Sequence, residues 1–173
     1  KGQVKISGSK NASLPILAAT LLSDKKISLT NIPRVKDVKT MIKLLESMGS
    51  KVKVLKNKNS LIIKNDKIIK AEASYDLMST MRAGIIVLGP LLARFGKARA
   101  SIPGGCNLGF RPIDIHLEAL KKMGVKYKLV DGYINAKAKN GLVGAKIKFP
   151  KISVGATENL MIAACLAKGQ TVL

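Results

Sequence analysis

Aromatic side chains are scarce, with three Phe, three Tyr and no Trp among 173 residues. Stacking platforms for a single strand of nucleic acid are correspondingly few. Cysteine is nearly absent: Cys106 and Cys165 cannot make a disulfide framework, and no charged-then-apolar leader opens the chain. A reducing, cytoplasmic setting is the expectation. Acidic residues are also short, 10 Asp+Glu against 31 Lys+Arg, for a net charge of +21. Such an excess raises nucleic acid as a partner. Only five of the cations are arginines (Arg34, Arg82, Arg94, Arg99, Arg111), however, and the lysines are spread rather than blocked. That pattern reads as a lysine-rich solvated surface and argues against a nucleic-acid partner. Long apolar runs are missing too. The longest stretch without a charge, Asn11 to Ser23, falls short of the roughly 18–20 residues a membrane-spanning helix needs, so no membrane span is expected.

What is present is enough hydrophobic material, 47% of residues, for one substantial core. It is arranged as a repeat. Leu44-Leu45-Glu46-Ser47-Met48-Gly49 returns 75 positions later as Ala119-Leu120-Lys121-Lys122-Met123-Gly124. Before the first copy, Val38, Met41, Ile42, Leu45 and Met48 form one helical stripe, and Ile113, His116, Leu117, Leu120 and Met123 do so before the second. Each stripe ends at a glycine suited to a left-handed cap. A hairpin should follow each: Val52 and Val54 returning through Leu61 to Ile63, and Tyr127 and Leu129 returning through Tyr133-Ile134 after Asp131-Gly132.

The preceding halves match as well. Leu14, Leu17, Ala18 and Leu21 make a helix face before a strand at Ile27, Leu29 and Ile32; Met81, Ile85, Leu88 and Leu92 make another before Ala98, Ala100 and Ile102. A third start runs from Leu160 to Lys168 into Thr171-Val172-Leu173. The spacing predicts stacked units of helix, strand, helix and hairpin, over about 10–70 and 75–140, with a third from about 145 that is interrupted. Both ends of the chain are expected to be cut.

Three places could carry chemistry. Pro103 to Pro112 lies between a strand and a helix, and its three glycines let the backbone approach a ligand closely. Cys106, five residues from Arg111, should have a lowered pKa and be reachable, whereas Cys165 is expected in the core. Arg82 stands in an otherwise apolar helix and needs an anion, either nearby Asp76 or a ligand phosphate. Lys10-Asn11 precedes the first helix, a location suited to anions. Lys10 and Arg82 are 72 positions apart, and 72 more reaches Val154, so three equivalent helix starts could converge on one site. His116 replaces Met41 on the apolar stripe and reads first as a core-edge residue, second as a catalytic one. No metal-ligand cluster, catalytic Ser-His-Asp set or dinucleotide fingerprint is present, so no metal or cofactor is expected.

Six segments in order, Val4 to Ala12, Asp37 to Met41, Thr80 to Ala83, Pro103 to Cys106, Arg111 to His116 and Ser153 to Thr157, resemble the enolpyruvyl transferases that act on UDP-N-acetylglucosamine. The resemblance implies an α+β fold, an inside-out α/β barrel of repeated βαβαββ units with about two and a half units of one domain here. It implies that residues 1–9 form a strand that packs with a missing second domain. The implied reaction transfers the enolpyruvyl group of phosphoenolpyruvate to the 3-hydroxyl of UDP-N-acetylglucosamine and releases phosphate, opening peptidoglycan synthesis. A non-catalytic homologue or a basic nucleic-acid-binding protein is the alternative.

By resemblance Lys10 and Arg111 hold phosphoenolpyruvate, and Cys106 is the general acid, able to form a covalent adduct and to be alkylated by fosfomycin. The UDP-sugar site is lined by Asn11, Arg82, Arg111, Pro112, Ile113, Asp114, Ile115, Lys151, Ile152, Ser153 and Val154. The missing domain would add arginines and an aspartate, so the chain alone is expected to be inactive. Gly84, where the motif often has Ser, is a minor departure.

Overall fold

The computed structural model describes residues 1–4, 6–55, 59–68, 70–102 and 113–173. Helix α1 (Lys10–Ala19) continues into a 3-10 turn at Thr20–Leu22, burying Leu14, Leu17, Ala18 and Leu21 as their spacing predicts. Strand β1 (Ile27–Leu29) stops short of Ile32, because Asn31 turns the chain with a positive φ of 55°. Helix α2 (Lys36–Ser47) buries Val38, Met41, Leu44 and Leu45, and Gly49 follows with φ 107°. Strands β2 (Lys51–Leu55) and β3 (Ser60–Lys64) form the expected hairpin, giving an antiparallel sheet in the order β1-β3-β2.

A second sheet, β4-β5-β7-β6, comprises β4 (Glu72–Ala73), β5 (Lys97–Ser101), β6 (Lys126–Val130) and β7 (Tyr133–Lys137). Strand β4 runs parallel to β5, and the other pairings are antiparallel. Asp131 (φ 49°) and Gly132 (φ 74°) supply the two left-handed residues that a tight two-residue hairpin loop requires. Between β4 and β5 lie α3 (Tyr75–Met78), a 3-10 helix at Arg82–Val87 and α4 (Leu88–Phe95); α5 (Asp114–Lys122) precedes β6. From 72 to 137 the order is therefore βαβαββ. Helix α6 (Val154–Ala164) connects two parallel bridges, Val143 with Lys168 and Lys146 with Val172, so the third start repeats the same strand-helix-strand path. Helices α1 and α4 each pack on α6 around one hydrophobic core, with the sheets outside. Among the described residues no helix is long and apolar enough to cross a membrane.

Three expectations need correction. The apolar run from Met81 is not one helix. Pro90 has no N–H to give the Ile86 carbonyl, so the chain winds as 3-10 to Val87, and α4 restarts at Leu88 with Pro90 in its first turn, where that donor is dispensable. Residues 1–4 and 6–9 form no strand, and Val4 and Ile6 are 85% and 78% exposed; no described strand edge pairs with their amides. Cys165 is exposed rather than in the core. It follows Met161 by one turn on the outer side of α6, and its thiol donates to the Met161 carbonyl at 3.4 Å.

Candidate functional site

The site begins at three helix starts. Lys10, Arg82 and Val154, evenly spaced in sequence, are each the first residue of a helix, and the three helices pack on one another. Ser9 and Ser153 cap the first and third by accepting from Ala12 N and Ala156 N, both at 3.3 Å. Ser13 and Thr157 then return their hydroxyls to the Ser9 and Ser153 carbonyls, at 2.7 and 2.9 Å. Entry into α1 is fixed by Gly8, where a Cβ would collide with the Asn31 carbonyl.

Lys10 is drawn to α2, its ammonium 2.9 Å from Asp37 Oδ2. Asn11 is exposed. Its carbonyl has no helical donor, because the residue four ahead is Pro15, and it can serve a ligand. Arg82 is half-buried and has no ion pair among the described residues; the possible partner Asp76 does not reach it. Of the two partners the sequence left open for this guanidinium, the structural carboxylate is thus not the one observed. Gly84 sits over Met78, whose sulfur occupies the space a Cβ would need, which accounts for glycine where the motif often has Ser.

A second group gathers where α5 and α6 meet. Ile113 precedes α5, Asp114 opens it on the exposed side, and Ile115 is 6% exposed. Asp114 and Ile115 border Phe149 and Pro150. On the other side of that segment an open cleft of about 700 Å³ is lined by Lys146, Lys148, Lys151, Ile152, Ser153 and Thr157, among others. Ile152 is 98% exposed and Val154 70%.

Asn159 links these elements: its Oδ1 accepts from Gly89 N at 2.9 Å, and its amide meets His116 Nδ1 at 3.1 Å. His116 is buried at the core edge, and burial pushes its pKa down to about 4 against the opposing pull of Asp114. A neutral ring with a free Nδ1 lone pair suits the Asn159 amide donor. Neither Asn159 nor Asp37 was marked as a site residue in the sequence. The lone amide just ahead of the apolar run Leu160 to Leu166 was the available signal for the first; nothing in the spacing signals the Lys10 contact of the second.

Cys106, Arg111 and Pro112 lie outside the described residues, and so does the thiol environment expected at Cys106. Lys10, Asn11 and Arg82 stand at packed helix starts, whereas Asp114 and Ile115 on one side and Lys151 to Ser153 on the other both border the 147–150 segment, and Val154 opens α6 beyond it.

A family model described as EPSP synthase (3-phosphoshikimate 1-carboxyvinyltransferase) matches residues 1–173. Relatives named UDP-N-acetylglucosamine 1-carboxyvinyltransferase include one from Pelagibacter ubique, 69% identical over all of this chain and 41% of its own length, and one from Sulfurovum sp., 53% identical over 99% and 40%. The chain thus spans about 41% of the length of the curated relatives it matches. Among solved structures, the enolpyruvyl transferase NikO from Streptomyces tendae superposes with a TM-score of 0.82 at 18% identity, over 99% of this chain and 40% of its own. An EPSP synthase from Acinetobacter baumannii gives 0.72 at 18% identity, over 98% and 39%. These two likenesses establish the fold.

Proposed function

Given that the chain belongs to the EPSP synthase (3-phosphoshikimate 1-carboxyvinyltransferase) family, we propose that its protein transfers the enolpyruvyl group of phosphoenolpyruvate to the 3-hydroxyl of UDP-N-acetylglucosamine. The observation that carries this reading is the identity, along the whole chain, with relatives named for that transfer. The reaction belongs to cytoplasmic peptidoglycan synthesis.

Lys10 and Arg111 hold the phosphate and carboxylate of phosphoenolpyruvate, because a multiply charged ligand needs fixed cations. Cys106 gives a proton to the methylene carbon, the sugar hydroxyl adds to the neighbouring carbon and loses its own proton, and departure of phosphate with a methyl proton restores the alkene. Arg82 pairs with the nucleotide diphosphate. Asn11, Pro112 to Ile115 and Lys151 to Val154 line the remainder, Ile115 from behind. The opposite wall of the cleft comes from the part of the protein that the longer relatives have beyond the matched length.

The test is phosphate release by the purified protein at its full natural length. Release from phosphoenolpyruvate that depends on UDP-N-acetylglucosamine is expected. Release that depends on shikimate 3-phosphate instead would overturn the choice of acceptor, and binding of the nucleotide sugar without release would favour a non-catalytic homologue.

A further inference from the structure

The outer face of the second sheet carries a row of like charges. In the ladder, Lys97 of β5 stands opposite Lys137 of β7, which stands opposite Lys126 of β6. Like charges directly opposite on one face repel. Lys139 follows two residues beyond Lys137, and all four lysines border one broad hollow of about 1190 Å³ with no carboxylate among its lining residues. None of the four has an ion pair among the described residues.

The first sheet shows what normally compensates such a row. There Lys51 of β2 stands opposite Lys64 of β3, the same places in the hairpin. Asp66, two residues beyond Lys64, lies 2.9 Å from the Lys64 ammonium and 3.8 Å from that of Lys51. Its hydrogen bond to Lys64, helped by the field of both lysines, holds its carboxyl below the usual range. At the matching place the second sheet has Lys139, a cation where the repeat has a carboxylate. A surface that was only lysine-rich would leave both rows alike.

The geometry points to a binding site for a multivalent phosphate anion on the outer face of the second sheet, held by Lys97, Lys126, Lys137 and Lys139. The anion takes the place that the Asp66 carboxylate fills on the first sheet. Four lysines call for more than the single charge that serves two. With strands about 4.8 Å apart, the row spans roughly 10 Å, suited to a short chain of linked phosphates rather than to one carboxylate. The free polyphosphate and the phosphate chain of a nucleotide share this chemistry. None of these four lysines belongs to the set assigned to the transfer reaction, so the inference stands independently of that assignment.

The experiment titrates inorganic tripolyphosphate, and separately ATP, into the purified full-length protein at low ionic strength, where such contacts are least screened. Wild type should bind one tripolyphosphate. Lys139→Asp, which recreates the first sheet's arrangement, should weaken binding by about tenfold or more. The control, Lys36→Gln with Lys43→Gln on exposed places of α2, makes the same change of two charges and should remain within about twofold. Lys137→Gln, which also relieves repulsion in the row, is the second probe and should fall severalfold. Tighter binding of ATP than of tripolyphosphate would identify a nucleotide as the source of the phosphates, and the reverse a free polyphosphate. Equal weakening in the α2 control and in Lys139→Asp would show diffuse attraction and overturn the site, as would a wild-type protein that binds neither probe.

Discussion

Ser9 and Ser153 each close the first turn of a helix with a hydroxyl, whereas the place between them in the repeat holds Met81, which has no such group and is 3% exposed in the core. The first and third helices of this kind are therefore ordinary capped α-helices, and the middle one starts as a 3-10 helix, tightened by Gly84 N bonding to the Met81 carbonyl at 3.0 Å. The repeat preserves the path of the chain but not the chemistry at its starts. Lys10 is shared with Asp37, Val154 carries no charge, and Arg82 has a guanidinium with no carboxylate partner among the described residues.

The largest effect should come from the side chain that ties the helix of the third start to α4 and α5. Asn159→Ala removes the acceptor of the buried Gly89 N–H and the donor to His116 together. Each orphaned buried group costs about 1–3 kcal/mol, so urea unfolding should show a loss of roughly 2–5 kcal/mol. Retained stability would mean that α4, α5 and α6 hold their places without it.

His116 gives an effect of similar size that pH can switch. Its folded pKa of about 4 lies below the usual 6.5, so the native state resists the proton that the unfolded chain accepts. The stabilisation is complete above pH 6.5 and is lost as pH falls towards 4, on the order of 3 kcal/mol in all. The charge of Asp114, which favours the protonated ring, reduces the loss. Unfolding curves at several pH values should show this slope, and His116→Gln should flatten it. An unchanged slope would mean that other groups carry the acid sensitivity.

The caps come next. Ser9→Ala and Ser153→Ala should each cost about 1 kcal/mol by the same measurement. Thr80→Ala, just before the uncapped start, should stay within about 0.5 kcal/mol, because its hydroxyl only returns to the Leu77 carbonyl on the surface. A loss at Thr80 equal to that at Ser153 would erase the distinction between the capped and uncapped starts.

These differences were only partly visible in the sequence. Apolar stripes announced α2 and α5, glycines 49 and 124 marked their ends, and Asp131-Gly132 fixed a hairpin, because each rests on local periodicity or on one residue's backbone freedom. The 3-10 start at Arg82 was hidden, since Ile85 and Leu88 fit either winding and only Pro90 decides between them. Arg94 was more hidden still. It donates to the carbonyls of Leu21, Ser23 and Asn65, tying the two units together through backbone groups whose positions no side-chain pattern reveals. The exposure of Cys165 was missed for a related reason: its helix is apolar on several sides, so composition could not say which side faces the core. At the candidate site, equal spacing placed Lys10, Arg82 and Val154 correctly at helix starts, but the Lys10 contact with Asp37 depends on how α1 and α2 pack.

Arg82, which has no carboxylate partner among the described residues, is proposed to pair with a ligand phosphate. Titration calorimetry of UDP-N-acetylglucosamine into the full-length protein tests this most directly, with Arg82→Ala compared against Lys25→Ala, whose side chain is 85% exposed. A charge-assisted contact in a pocket contributes about 1.5–3 kcal/mol, so Arg82→Ala should weaken binding by roughly ten- to a hundredfold, while Lys25→Ala changes it less than about twofold. Wild-type affinity in Arg82→Ala would contradict the claim.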